Sequence, residues 1–223
     1  NLENIFAISD EIRLHYSNKA DYWGLNSEYV VSNSILPNKF VSNEKIILSD
    51  GSFVTKDEFN SYTMTPIAVV VGSTKNGGQA LGIGLQKGTD LQWAPNGTTG
   101  YNTNFIEIQE FDKEYNVLDG DGSDNWEVIC KVDFVGAANA SINYPVFNFA
   151  NTYGETAGLY GTDYKDGWYV PSYMELINIY ENKAVIEDSL SVVGDLIFGS
   201  NDYWSSSQSD GYYENYALVF CFY

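Results

Sequence analysis

The stretch Gly167-Trp168-Tyr169-Val170-Pro171-Ser172-Tyr173-Met174-Glu175-Leu176 holds an extended run, its stop and a helix start in ten residues. Pro171 ends the run, Ser172 stands where a helix N-cap would be, and Glu175 three residues on closes a capping box. Further along, Tyr203-Trp204-Ser205-Ser206-Ser207-Gln208 reads as a strand. The tail after it is rich in Tyr, Ser, Asp, Gly and Asn, the vocabulary of a binding loop rather than of a packed core.

Toward the N-terminus the same rules predict more strands. Ile46-Ile47-Leu48 and Ser52-Phe53-Val54 flank an Asp50-Gly51 turn, and Thr55 to Glu58 has capping-box spacing for a short helix. Pro66 to Gly72 and Ala80 to Gln86 read as paired strands around Asn76-Gly77-Gly78. Gly82 and Gly84 mark a bulge or a close backbone approach. Asp124 is placed to cap a helix whose inward stripe is Trp126, Ile129, Cys130, Phe134 and Val135. A second helix from Ser172 turns Tyr173, Leu176, Ile177 and Tyr180 inward, and a shorter one over Ile186 to Val193 stops at Gly194. The polar connection from Ala138 to Asp166 is expected to be a long structured loop. Residues 1–40 read as an extension that is partly helical, from the spacing of Leu2, Ile5, Phe6, Ser9 and Ile12, and residues 41–223 as the main domain. Strands, two main helices and strands again predict an α+β fold, with helices packed on an antiparallel sheet and long structured loops.

Composition narrows the function. The 223 residues carry 30 Asp and Glu against 11 Lys and Arg, a formal charge of −19, so a phosphate backbone would be repelled and nucleic acid is not an expected partner. The apolar run Ile67 to Val71 is far too short to span a bilayer. Asn1 opens the chain without an apolar leader, and any export signal is expected to have been removed or to have lain outside this sequence. Two cysteines, Cys130 and Cys221, make no disulfide framework and are expected to be free.

Four motifs in order carry a resemblance: Asp121-Gly122-Ser123-Asp124-Asn125-Trp126, Tyr144-Pro145-Val146-Phe147-Asn148, the Gly167 to Ser172 run with Glu175-Leu176, and Tyr203 to Gln208. Through them the last 110 or so residues resemble the formylglycine-generating-enzyme type of C-type lectin-like domain. More narrowly, they resemble the variable proteins of diversity-generating retroelements. The resemblance implies a lipoprotein displayed on a bacterial cell surface or outer membrane, held to the membrane only through a lipid anchor absent from this chain. Its ligand would be an unknown protein or surface molecule, variable between copies of the gene. In that family adenine-directed mutagenesis rewrites the segment after the Trp-Ser-Ser-Ser strand, here about 201–223. Ser209, Asp210, Gly211, Tyr212, Tyr213, Asn215, Val219, Cys221 and Tyr223 are all reachable from an Asn codon by changing adenines, whereas Glu214 is not. The family continues with a glycine-containing turn and a closing Val-Arg strand. Either residues follow Tyr223 or the sheet closes differently.

Strand alternation divides the tail without the family. Leu218, Phe220 and Phe222 share one face, and Val219, Cys221 and Tyr223 the other. The bulky set is expected to face the core. The candidate ligand-binding set is therefore Asp202, Ser209, Asp210, Tyr212, Tyr213, Asn215, Val219, Cys221 and Tyr223. Trp168 and Trp204 are expected in the core, and Tyr212 and Tyr213 on the surface.

No cofactor and no catalytic residue is expected. The enzymes of this fold use a cysteine pair near the end of the domain, where this chain has Cys221 alone. A serine triad needs a histidine, and His15, the only one, lies in the extension as a surface residue. Asp119 to Asp124 has calcium-loop character, but an EF-hand would need glycine where Asp124 stands and a carboxylate where Cys130 stands. A turn that delivers the helix cap explains the same residues. The alternatives are an oxidase-like or formylglycine-generating enzyme of the same fold, and a calcium-dependent glycan-binding lectin.

Overall fold

The computed structural model describes residues 5–9, 45–73, 80–110, 120–194, 198–199, 201–209 and 217–222, of which 5–9, 72, 73 and 80 are described as backbone only. Six strands form one antiparallel sheet: β1 Ile5–Ser9, β2 Lys45–Leu48, β3 Phe53–Thr55, β4 Pro66–Ser73, β5 Ala80–Gly88 and β6 Trp168–Tyr169. Their spatial order is β3-β2-β4-β5-β1-β6. A separate antiparallel pair joins β7 Asp202–Gln208 to β8 Ala217–Cys221. The helices are α1 Thr99–Asn102, α2 Asn125–Val132, α3 Phe134–Ala137, α4 Ala140–Asn143, α5 Pro145–Asn151, α6 Tyr153–Thr156, α7 Tyr173–Glu181 and α8 Lys183–Val193, with a 3-10 turn at Ile106–Ile108. The architecture is mixed α and β, with helices packed on an antiparallel sheet.

The sheet is covered on both faces, which is why β4 is a continuous apolar run rather than an alternating one. Ile46, Leu48, Val69, Val71, Leu81 and Ile83 turn to one core, shared with Leu176 and Ile179 of α7 and Ile186 and Leu190 of α8. Ile47, Ala68 and Val70 turn to a second core, shared with Val128 and Ile129 of α2 and Phe147 and Ala150 of α5. Tyr203 and Phe222 place the β7–β8 pair against the first core, while Trp93, Trp168 and Trp204 pack on the second. Gly84 allows this layering, because a Cβ there would come within 2.4 Å of the Tyr153 Cζ and hydroxyl oxygen. The Tyr153 hydroxyl instead accepts the Gln86 N–H at 3.0 Å.

Several expectations need correction. Ile5 to Ser9 is not helical: it forms β1, seated between β5 and β6, with Ile8 opposite Tyr169 and Ser9 opposite Gly82. A five-residue run takes up whichever structure completes the sheet, and the other residues of 1–40, His15 among them, lie outside the described residues. Thr55 to Glu58 makes one turn only. The Thr55 N–H and hydroxyl both donate to the Glu58 carboxylate, at 2.8 and 2.9 Å, and hold that carboxyl below its ordinary range. The stripe on α2 breaks at Asp133, whose φ of −120° and ψ of 64° end the helix and whose side chain caps α3 at the Gly136 N–H. The restart changes the helical phase, so Phe134 and Val135 point outward, 76% and 81% exposed. Asp124 makes no side-chain cap; Asp121 accepts the Ser123 N–H at 2.9 Å just before it. The expected loop from Ala138 to Asp166 contains three helices; Pro145 sits in the first turn of α5, and the buried Val146, Phe147, Ala150 and Tyr153 hold α5 and α6.

Candidate functional site

α7 begins with Ser172 and Glu175 making the full capping box: the Ser172 N–H donates to Glu175 Oε2 at 2.9 Å and the Glu175 N–H to Ser172 Oγ at 3.2 Å. The remaining donors of the first turn are also satisfied. Tyr173 N–H donates to Ser207 Oγ at 3.0 Å and Met174 N–H to Glu110 Oε1 at 3.0 Å. Glu175 further accepts the Gly122 N–H at 3.1 Å and the Tyr169 hydroxyl at 3.0 Å. Ser207 Oγ donates to the other Glu110 oxygen, and Ser172 Oγ donates to the Gly120 carbonyl at 2.9 Å. Two buried carboxylates thus sit at a helix N-terminus, where its dipole favours negative charge. All four of their oxygens accept hydrogen bonds from the frame, so their work is to join segments.

This polar node holds β7. Between the pairs Trp204–Val219 and Gln208–Ala217 the strand carries three residues opposite the single Leu218, a bulge with two extra residues. The bulged serines find partners outside the pair. The Trp93 indole N–H donates to the Ser205 carbonyl at 3.0 Å, the Ser206 N–H to the Pro171 carbonyl at 2.8 Å, and Asn125 Nδ2 to Ser206 Oγ at 2.8 Å. Gln208, the last residue of β7, is a hub. Its Oε1 accepts the Phe105 N–H at 2.8 Å, its Nε2 donates to the Thr103 carbonyl at 3.1 Å, and its carbonyl accepts the Glu110 N–H at 3.0 Å.

Of the candidate binding residues, Asp202, Ser209, Val219 and Cys221 are described; Asp210, Tyr212, Tyr213, Asn215 and Tyr223 lie outside the described residues. Asp202 stands directly opposite Cys221, and Val219 opposite Trp204, so these four share one face. Cys221 is exposed, while Asp202, Ser209 and Val219 are half-buried. The face is covered at Trp204, whose indole N–H donates to the Leu91 carbonyl at 2.9 Å. On the other face Phe222 is fully buried, with ring centroids 4.7 Å from Tyr203 and 5.4 Å from Tyr180, and Phe220 lies 5.6 Å from Tyr173. Of the expected core face, Phe222 is buried and Phe220, though half-buried, packs on the first core; Leu218, across from the bulge, is half-buried and packs on neither core.

Neither Cys130 nor Cys221 forms a disulfide. Burial, and then the nearby Glu127, push the Cys130 thiol up, away from a reactive thiolate. Burial raises the Tyr173 hydroxyl, with Cys221 and Glu110 adding to it. Among the described residues no group of three His, Cys, Asp or Glu side chains could hold a metal ion, and no helix is long and apolar enough to cross a membrane.

Glu110, Trp93 and the 103–110 segment were not singled out by sequence. Their partners lie from 64 to 112 residues away, and no local spacing announces such contacts. No family model, curated protein or solved structure matches the chain.

Proposed function

We propose that the chain is a ligand-binding display protein with a C-type lectin-like fold of the formylglycine-generating-enzyme subclass, and that its C-terminal segment is a diversified binding site. The observation that carries this reading is the anchoring of β7. Every bulged serine and the Gln208 side chain are bonded to α7, α2, Trp93, Leu218 or the 103–110 segment, none of them among the candidate binding residues. Positions 209–215 can then change without loosening the strand that carries them. Cell-surface placement, through a lipid anchor, is what the family resemblance suggests. The four motifs behind that resemblance also support it: three of them meet at the polar node, and Tyr144, Val146 and Phe147 of the fourth lie in the second core.

Replacing residues 209–215 with a Gly/Ser sequence tests the physical part. The thermal midpoint should move by no more than about 4 °C, the shift roughly 1 kcal/mol would cause. A collapse of the fold would place those residues in the core and end the reading. The genetic part is tested by sequencing the flanking DNA, where a near-identical template repeat and a reverse-transcriptase gene are expected.

A further inference from the structure

We propose that the corner formed by α2, α3 and α4 is a docking surface for a second copy of this chain, a self-complementary contact built on Val132, Phe134, Val135 and Ile142. It does not depend on what the tail binds. All four side chains are more than half exposed. The backbone beneath them is fixed. The buried Asp133 carboxylate accepts the Gly136 N–H at 3.0 Å and the Tyr144 hydroxyl at 2.7 Å. Asn143 Nδ2 donates to the Gly136 carbonyl at 3.0 Å, which draws the end of α4 against α3. Val135 and Ile142 each lie one residue from that bond, and Val132 and Phe134 flank Asp133. Apolar side chains held in water on a stiff backbone lose little entropy when a partner covers them.

Charge identifies the occupant. The chain carries a formal −19, so two copies repel each other over most approaches. This corner is the exception: α3, α4 and α5 contain no Asp, Glu, Lys or Arg. On α2 the exposed charges are Glu127 and Lys131, one of each sign and 3.9 Å apart. A two-fold axis across α2 runs the helix antiparallel to its copy and sets Lys131 of each copy against Glu127 of the other. The 3-10 turn packed on α2 brings one further exposed charge, Glu107, whose sign suits the same lysine. One lysine is no basic cluster, so an anionic lipid surface finds nothing here to hold it.

The patch is small beside the roughly 800 Å² per partner of a standard interface, so the pair is weak and forms as concentration rises. The net charge of the two copies opposes it. Screening should therefore strengthen the dimer, the reverse of an association driven by opposite charge.

The test is sedimentation equilibrium of the full chain over a wide range of concentration, at low and at high salt. The parent should pass reversibly from monomer to dimer, and further so at high salt. The double variant Phe134→Ser with Val135→Ser should associate about tenfold more weakly, the loss expected of central apolar residues, with its circular dichroism unchanged. Tyr62→Ser, at a side chain more exposed still but outside this corner, should associate as the parent does. Lys131→Glu alone and Glu127→Lys alone should each weaken the dimer, because like charges then face each other. An equimolar mixture of those two variants should recover it as a mixed pair. A monomer at every concentration, an undiminished dimer in the Phe134 and Val135 variant, or no recovery on mixing would overturn the proposal. So would binding of the parent, and not of that variant, to neutral phosphatidylcholine vesicles, since the corner would then be a membrane contact.

Discussion

Glu175 shows how much one side chain can be asked to join. Its two oxygens accept from Ser172, Gly122 and Tyr169, linking the start of α7, the turn before α2 and β6. Glu175→Gln keeps the shape but replaces one acceptor with a donor that faces other donors. Hydrogen bonds to a charged group contribute about 1.5–3 kcal/mol, so the substitution should cost about 2–3 kcal/mol. Urea unfolding at unchanged slope would measure it, with the exposed Glu181→Gln as a reference expected within about 0.5 kcal/mol. The Ser172 and Glu175 half of this node was legible in sequence, because a capping box is a local spacing. The Glu110 half was not, because nothing within ten residues of Glu110 hints at its bond to Met174.

For β7 and β8 the alternation of side chains predicts opposite responses from adjacent positions. Phe222 lies among Tyr203, Phe198 and Tyr180, so Phe222→Ala should cost about 3–5 kcal/mol. Cys221→Ser, on the exposed face, should stay within about 0.5 kcal/mol. Similar losses from both, in chemical denaturation, would mean the two faces are not distinct. Alternation in β8 was readable because it is a period-two pattern with bulky residues on one side. The bulge in β7 was not, since three serines in a row carry no hydrophobic pattern. The failures in the helices have a common cause: Asp133 and Pro145 reset the helical phase, and a periodic stripe cannot be followed across a reset.

The whole molecule, with a sheet covered on both faces, buries tyrosines that its unfolded chain would expose. Burial pushes Tyr153 and Tyr203 up to about 12, and raises Tyr144 further with help from its bond to Asp133. Unfolded tyrosine releases its proton near 10. The native state therefore holds protons that the unfolded state has lost, and stability, complete below about pH 10, falls as pH rises toward 12. Tyrosinate absorbance and circular dichroism followed together should show the exposed tyrosines titrating first and a final fraction ionising only as helix signal disappears. Titration of all 18 before any loss of helix would contradict this. The two-sided cover of β4 was foreshadowed by its unbroken apolar run. The place of β1 was not, because a short strand between β5 and β6 is specified by what surrounds it. The β7 bulge has a practical corollary: the stem formed by Gln208 and Ala217 takes its spacing from distant loops rather than from the hairpin it closes. A foreign peptide spliced between those two positions would arrive at a ready-made socket, with no need to encode the geometry of its own attachment.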